Sequence, residues 1–126
     1  MKAIIVAFFI LLSPALFAQA DITPQVTEAL KKGDANALSA FFMSTVELEI
    51  TGEEGTYSAS TAKTMLTKFF TEKQVKGFTV KHQGNSKLDD QYRIGELTTT
   101  KGVFRLTFFM KKNGNTWQIK QLKIES

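Results

Sequence analysis

Apolar side chains recur every three or four positions in three segments of the chain after residue 20, which is typical of helices that bury one face. Thr23-Pro24 opens the first segment, and Gly33-Asp34 separates it from the second. Ser58 or Ser60 caps the third. Three helices are therefore predicted, with apolar stripes at Val26, Ala29, Leu30; Ala37, Leu38, Phe41, Phe42; and Ala62, Met65, Leu66, Phe69, Phe70.

The remaining segments alternate with a period of two, which is typical of strands with one buried face. Residues 45–51 form one such strand before the third helix, and Gly52–Gly55 is predicted to be a loop. After Gly77 the period of two continues to the end of the chain, and Asn113-Gly114 marks a tight hairpin. Four strands are therefore predicted after the third helix.

Two of these strands change phase within their length. In one, Tyr92 and Ile94 share a face, but the next apolar residue is Leu97, so we predict a β-bulge at Gly95-Glu96. The last strand changes phase between Ile119 and Leu122. A bulge bends a strand, so the sheet is expected to curve strongly.

The elements predict an α+β domain in the order helix, helix, strand, helix and four strands. Three helices cover the concave side of a strongly bent, mostly antiparallel sheet of about five strands, because this arrangement buries all three apolar stripes at once. The element order over residues 21–126 resembles the nuclear transport factor 2-like fold, also called the cystatin-like cone.

A closer resemblance is to a family of small exported bacteroidete proteins of unknown function. It is carried by Gly33-Asp34 with Leu38 and Phe41-Phe42, Phe69-Phe70, Phe78-x-Val80-x-His82-x-Gly84, and Tyr92-x-Ile94-Gly95-x-Leu97. The resemblance implies the fold, but it brings no activity, cofactor or catalytic residue.

Residues 1–20 have the layout of a signal peptide. Lys2 precedes an apolar run over residues 3–12, Ser13-Pro14 breaks it, and Ala18-Gln19-Ala20 is a small-x-small cleavage site. We expect cleavage after Ala20 and a periplasmic or secreted domain of residues 21–126. The chain has no cysteine, so neither disulfides nor lipoprotein processing are expected, and no membrane anchor remains after cleavage.

Charge is divided unevenly along the chain. Residues 21–70 hold four lysines and seven acidic residues, whereas residues 71–126 hold eleven basic and five acidic residues. An anionic envelope component is one candidate partner for the basic half, although lysines also line solvated sheet faces and edges. Nucleic acid is not expected, because the basic residues are spread along strands without a stacking platform.

His82 is the only histidine, and its phase places it on the core face with Phe78 and Val80. Tyr92 and Glu96 are its expected neighbours across the sheet, so Phe78, His82, Tyr92 and Glu96 are the candidate lining of a ligand pocket. A buried histidine satisfied by a tyrosine hydroxyl or a backbone carbonyl explains the same pattern.

No catalytic residue, metal ligand set or cofactor is predicted. Enzymes that resemble this fold usually place an aspartate or an Asp–His pair in the cone, whereas Asp21, Asp34 and Asp89-Asp90 lie at helix starts or in a turn. One histidine and no cysteine leave no recognisable zinc or calcium motif.

The doubled aromatic residues predict a second apolar face. Phe108 and Phe109 must point to opposite sides of their strand, so one of them lies outside the core. Phe109, Trp117 and Ile119 are the interface candidates, and a second copy of the sheet is the expected cover. Trp117 has an alternative position pointing inward, at the mouth of the cone.

The sequence favours an exported, non-enzymatic domain that binds a small apolar ligand in its cone or a protein partner through its sheet, and forms a homodimer. Two alternatives stay open. One is an isomerase-, cyclase- or dehydratase-type enzyme that uses His82 and Tyr92, and the other is a binder of an anionic envelope component.

The signal peptide yields the first testable prediction. The intact mass of the exported protein is expected to correspond to residues 21–126, because Ala18-x-Ala20 is a small-x-small site that follows the apolar run and its break at Ser13-Pro14. A mature product that retains residues 1–20 contradicts the cleavage site.

Overall fold

The computed structural model describes residues 21–87 and 89–126, so the predicted signal peptide, residues 1–20, lies outside the described residues. The domain has the predicted α+β order, with one additional strand. The helices are α1 (Thr23–Lys32), α2 (Ala35–Ser39) and α3 (Ala59–Lys73). The strands are β1 (Phe42–Ile50), β2 (Glu53–Ser58), β3 (Val75–Lys87), β4 (Asp90–Thr99), β5 (Gly102–Asn113) and β6 (Thr116–Glu125). None of the described helices is long and apolar enough to cross a bilayer.

The sheet has six strands in the order β2-β1-β6-β5-β4-β3. Neighbouring strands are antiparallel except β1 and β6, which are parallel. The mostly antiparallel character is therefore confirmed, and β6 and β5 form the middle of the sheet.

The additional strand is β2, which occupies much of the segment predicted to be a loop. Thr51 and Gly52 have φ angles of 47° and 97°, and they connect Ile50 directly to its cross-strand partner Glu53. Two consecutive residues with positive φ form the tight turn that suits a hairpin. The segment is short, polar and exposed, so it has no apolar alternation from which a strand is predicted.

The helix pair at the start of the domain forms as predicted, but α2 is shorter. Gly33 adopts the left-handed conformation that ends α1, and the Asp34 carboxylate accepts a hydrogen bond of 3.0 Å from the Ala37 amide at the start of α2. The helix ends at Ser39, and Phe42 begins β1. Phe42 is buried in the sheet, whereas Phe41 is half-buried against the core.

The inner face of the sheet packs against the helices and is filled by side chains. The residues at its centre have no exposed surface: Leu97, Leu106, Phe108, Met110, Ile119, Leu122 and Ile124. Phe69 from α3 meets Phe104 edge to face, with ring centroids 5.2 Å apart. The cone is therefore a packed core.

Gly95 allows the closest approach within this core. A Cβ atom at Gly95 would lie 2.4 Å from the Thr79 carbonyl oxygen and 2.6 Å from the Phe78 ring. The Phe78 ring therefore occupies the space that a side chain at position 95 would need, which explains a glycine in the middle of β4.

The bulges lie at different positions from the one predicted at Gly95-Glu96. β4 pairs continuously with β5, from Asp90↔Lys111 to Thr99↔Gly102, so the predicted bulge is wrong. The pairing of β3 with β4 shifts between Val80 and His82 instead, which leaves Lys81 as an extra residue. The phase change in β6 is confirmed, because the pairing shifts between Ile119 and Gln121 and leaves Lys120 extra.

A buried arginine connects the sheet to the start of α1. Arg93 lies on the inner face with 5% of its surface exposed. Its guanidinium donates to the Thr23 hydroxyl at 3.0 Å and to the Asp21 carboxylate at 3.1 Å. It also donates to the Gln91 side chain at 2.9 Å and to the Tyr92 carbonyl at 2.9 Å. Four acceptors bind the guanidinium, so these hydrogen bonds compensate the free-energy cost of burying its charge.

The same network caps α1. The Asp21 carboxylate accepts hydrogen bonds from the Thr23 amide at 2.9 Å and from the Thr23 hydroxyl at 2.6 Å. Partial burial on its own raises the pKa of Asp21. The two hydrogen bonds from Thr23 lower it, and so do the hydrogen bond and the charge of Arg93. These effects outweigh the burial, so the pKa of Asp21 lies below its usual value of 3.8. Asp21 therefore provides the cap that the sequence pattern assigns to Thr23.

Truncation of the central aromatic side chain tests the packed cone. Phe108→Ala is expected to lower the free energy of unfolding by about 3–5 kcal/mol, because Phe108 is fully buried and leaves a cavity. Val103→Ala, at the most exposed large apolar residue, is the control and is expected to change it by less than about 0.5 kcal/mol. Urea denaturation of both variants measures the difference, and similar losses contradict the assigned faces.

Asp21→Asn tests the capping network through pH. At neutral pH this variant is expected to be less stable by about 1 kcal/mol, a modest value because about half of the Asp21 side chain is exposed. Because the pKa of Asp21 is lower in the folded protein than its usual value of 3.8, the carboxylate stabilises the fold at pH values above 3.8. This contribution is lost as the pH falls through the pKa of the folded protein. The unfolding curves of the two proteins should therefore converge at acidic pH. A gap that persists there contradicts the ionic role, and Glu28→Gln on the exposed side of α1 is the control.

Candidate functional site

The face of the sheet away from the helices is here called the outer face, and it carries exposed side chains of the strands. The pairing register assigns side chains to it from five strands. They include Glu54 and Thr56 of β2; Glu47 and Glu49 of β1; Gln121, Lys123 and Glu125 of β6; Val103, Arg105, Thr107 and Phe109 of β5; and Tyr92, Ile94 and Glu96 of β4. His82 of β3 joins them as the cross-strand partner of Ile94.

Two aromatic rings pack together on this face. Tyr92 and Phe109 are cross-strand partners with ring centroids 6.2 Å apart and an angle of 47° between the rings. A Cβ atom at Gly84 would lie 2.6 Å from the Tyr92 hydroxyl oxygen, so the tyrosine ring extends over Gly84 on β3. Both rings are half-buried by their neighbours. The outer face is therefore partly apolar, as predicted from the doubled phenylalanines.

The prediction that His82 shares the core face with Phe78 is wrong. Phe78 is 3% exposed and packs inward, whereas His82 is exposed on the outer face. The bulge at Lys81 adds one residue between Val80 and His82, and a shift of one residue moves a side chain to the other face of a strand.

The four candidate pocket residues consequently do not share a pocket in the cone. Phe78 belongs to the core, and Tyr92 belongs to the aromatic pair of the outer face. His82 and Glu96 do come together, in a shallow outer-face depression of about 430 Å³. The rest of its lining consists of Lys81, Ile94, Gly95, Val103, Arg105 and Ser126.

Of the three interface candidates, only Phe109 lies on the outer face. Ile119 is fully buried because it pairs with Met110 on the inner face. Trp117 pairs with Lys112, which lies two residues after Met110 and therefore on the same inner face. Trp117 is half-buried against the core. The assignment of Trp117 and Ile119 to the outer face is therefore wrong, and the inward alternative for Trp117 is correct.

A second depression lies at the other end of the outer face and is acidic. It has a volume of about 370 Å³, and its lining includes Glu47, Glu49 and Glu54. Lys123 is the nearby cation, with its Nζ atom 4.0 Å from Glu49 Oε1 and 3.9 Å from Glu125 Oε1. One lysine does not balance these carboxylates, so this end keeps a negative excess.

A partly buried ion pair, which the sequence pattern does not predict, lies at the rim of the face. Asp90 is 6% exposed, and its carboxylate accepts a hydrogen bond of 2.8 Å from Lys120 Nζ. Lys120 is the extra residue of the bulge in β6, so the bulge places its side chain toward β4. Like Arg93, this pair joins residues distant in sequence, and neither spacing nor periodicity signals it.

The described residues offer little for catalysis or metal binding. Within residues 21–87 and 89–126, no group of three or more histidine, aspartate or glutamate side chains is arranged to hold a metal ion. His82, which the alternative enzyme function would use, is exposed rather than enclosed in a cavity.

Comparison with solved structures shows close relatives and the fold. A protein of the DUF4783 family from Bacteroides ovatus is 32% identical, with a TM-score of 0.79 over 86% of this chain and 96% of that chain. A second, from Bacteroides fragilis, is 34% identical, with a TM-score of 0.79 over 84% of this chain and 99% of that chain. An NTF-2 like protein of unknown function from Shewanella oneidensis is 17% identical, with a TM-score of 0.64 over 83% of this chain and 93% of that chain, and shows the fold alone.

No curated protein matches the chain significantly. The family model that matches is described as a domain of unknown function, DUF4783, and covers residues 23–125. This match includes all the helices and strands described above. The protein is therefore a member of the DUF4783 family, with a nuclear transport factor 2-like fold.

Proposed function

We propose that this protein is an exported, non-enzymatic interaction domain that binds a protein partner through the outer face of its sheet. The observation that carries the proposal is the filled cone. Side chains of β4, β5 and β6 occupy its centre with no exposed surface, so a ligand would have to displace packed core residues.

The outer face has the composition of a binding surface. Tyr92 and Phe109 form an aromatic centre, Ile94 lies beside them, and Val103 is 57% exposed. Charged side chains surround these residues on both sides. An aromatic centre with a polar rim is the usual anatomy of protein interfaces.

The two alternative functions have less support. An enzyme using His82 and Tyr92 requires both in the cone, and both lie on the outer face. Binding of an anionic envelope component would use the basic side chains of that face, but Arg105 has Glu96 and Glu125 as cross-strand neighbours. These carboxylates reduce the attraction of Arg105 for an anion.

Site-specific photo-crosslinking in the cells that make the protein tests the proposal. A benzophenone side chain at Val103 or Gln121, on either side of the aromatic pair, is expected to give discrete protein adducts. The same probe at Thr67, on the exposed side of α3, is the matched control and is expected to give none.

The variant Phe109→Lys is expected to reduce these adducts at least about tenfold, because it places a charge at the centre of the interface without touching the core. Circular dichroism of the purified variant verifies the fold. Absence of adducts at both outer-face positions, or adducts that Phe109→Lys leaves unchanged, contradicts the proposed binding face.

A further inference from the structure

We infer that the free edge of β2 binds an extended segment of a partner protein. The segment adds to the six-stranded sheet as a further, antiparallel strand and carries lysine or arginine at alternate positions. This edge lies apart from the aromatic pair of the outer face, so the inference goes beyond the proposed function and does not depend on it. It follows from the unpaired backbone of β2 and from the carboxylates beside it.

The two edges of the sheet differ in regularity. At one edge, the pairing of β3 with β4 shifts at several places, and Lys76 and Lys81 are extra residues there. Bulges and lysines are features that keep an edge strand from pairing with another chain. At the other edge, β2 pairs with β1 over its whole length without a shift, and it contains neither lysine nor proline. The edge of β2 is therefore the one that is open to strand addition.

The phase of the hairpin shows which backbone groups of β2 point toward β1. Ile50 and Glu53 flank the two-residue turn and are cross-strand partners, so they exchange backbone hydrogen bonds. Bonding alternates along an antiparallel strand, so every second residue of β2 after Glu53 also bonds to β1. The Thr51 amide donates at 2.8 Å to the Ile124 carbonyl of β6, on the other side of β1, which agrees with this phase.

The residues between them, Glu54 and Thr56, direct their N–H and C=O groups to the free edge. No hydrogen bond within residues 21–87 and 89–126 uses these four groups. Beyond them, Ser58 leaves the edge and caps α3. An antiparallel strand laid along this edge forms four hydrogen bonds with Glu54 and Thr56 without any rearrangement of the sheet.

The inner face of β2 favours apolar side chains in the added strand. A Cβ atom at Gly55 would lie 2.7 Å from the Tyr57 hydroxyl oxygen, so the tyrosine ring extends over Gly55. Tyr57 is half-buried against the core and keeps part of its ring accessible at the edge of the sheet. Cross-strand contacts between an aromatic ring and a β-branched side chain stabilise a pair of strands.

The outer face of β2 favours basic side chains in the added strand. Glu54 is the cross-strand partner of Glu49, and both line the acidic depression together with Glu47. Lys123 lies near Glu49, but the ion pairs of the described residues include neither Glu47 nor Glu54. No three described carboxylates are arranged to hold a metal ion. A row of lysine or arginine side chains beside Glu54 therefore complements these charges.

A second copy of this chain does not fit the edge. β2 contains Glu53 and Glu54 and no basic residue, so two paired copies of β2 bring four carboxylates together. Like charges opposed across a strand pair are unfavourable. β3 is basic, but its bulges prevent a regular ladder with β2. The added strand therefore comes from a different protein.

Two methylated peptides test the inference with exported, purified protein. Both have the sequence Val-Lys-Val-Lys-Val-Lys-Val with blocked ends. When the lysines lie on the side of Glu54, the lysine amides bond to β2 and the valine amides point away. Methylation of the valine amide nitrogens keeps the edge that faces β2 and prevents the peptide from pairing with itself. Methylation of the lysine amide nitrogens removes the donors that face β2.

Fluorescence anisotropy measures the binding of each labelled peptide. The valine-methylated peptide is expected to bind with saturation, and the lysine-methylated peptide at least about tenfold more weakly, because its strand donors are lost. The two peptides have the same charge and composition, so a purely electrostatic attraction does not distinguish them. Equal binding of the two peptides, or no binding of the valine-methylated one, overturns the inference.

The variant Glu54→Lys tests the choice of a basic segment. It is expected to weaken binding of the valine-methylated peptide at least about tenfold, because it sets a like charge opposite the peptide lysines. It also ends the contact of two acidic residues across β1 and β2, so the fold is expected to persist, which circular dichroism verifies. Glu28→Lys makes the same change of charge on the exposed side of α1 and is expected to bind like the wild type. Unchanged binding by Glu54→Lys overturns the inference.

Amide hydrogen exchange locates the bound peptide. The amides of Glu54 and Thr56 are expected to exchange at least about tenfold more slowly in the saturated complex, because both become strand donors. The amides of β3, at the other edge, are expected to exchange at unchanged rates. Protection that appears along β3, or that leaves Glu54 and Thr56 unprotected, overturns the assignment of the edge.

Discussion

The structure depends on the alternation of side chains across a bent sheet and on extra residues that interrupt it, among them Lys81 and Lys120. Each is one extra residue in its strand, so the side chains beyond it change faces relative to a regular strand. The interruption at Lys81 puts His82 outside, and the interruption at Lys120 lets both Ile119 and Leu122 pack inward. These two positions therefore help to divide the side chains between a packed interior and a chemically mixed outer face.

The predictable part of the fold is the part in which apolar residues follow a simple period. Phe104, Leu106, Phe108 and Met110 alternate without a break, and all four are buried in β5. The stripe of α3 and the Asp34 cap also form as expected, because local sequence determines them. The order of elements and the fold class follow from these segments.

The side chains of β4 that face the core could not be predicted in this way, because a polar residue and a glycine occupy inner positions. Arg93 faces the core since its guanidinium finds acceptors on Asp21 and Thr23, some seventy residues earlier in the chain. Gly95 faces the core since the Phe78 ring fills its space. A pattern that assigns apolar residues to the interior therefore predicts that Tyr92 and Ile94 face the core, and it places the bulge on the wrong strand. The same assignment places Tyr92 in the predicted pocket, whereas His82 is misassigned because of the extra residue Lys81 on β3.

The uneven charge of the sequence becomes a spatial property through the strand order. β1 and β2 come from the acidic first half of the domain, and β3, β4 and β5 come from the basic second half. β6 also comes from the second half, but it crosses to lie beside β1, and Lys123 places a cation near Glu49 and Glu125. The crossover therefore brings a strand of the basic half against the acidic strands. The outer face keeps a cluster of carboxylates at the β2 end, and the cations Lys81 and Arg105 lie toward the β3 end.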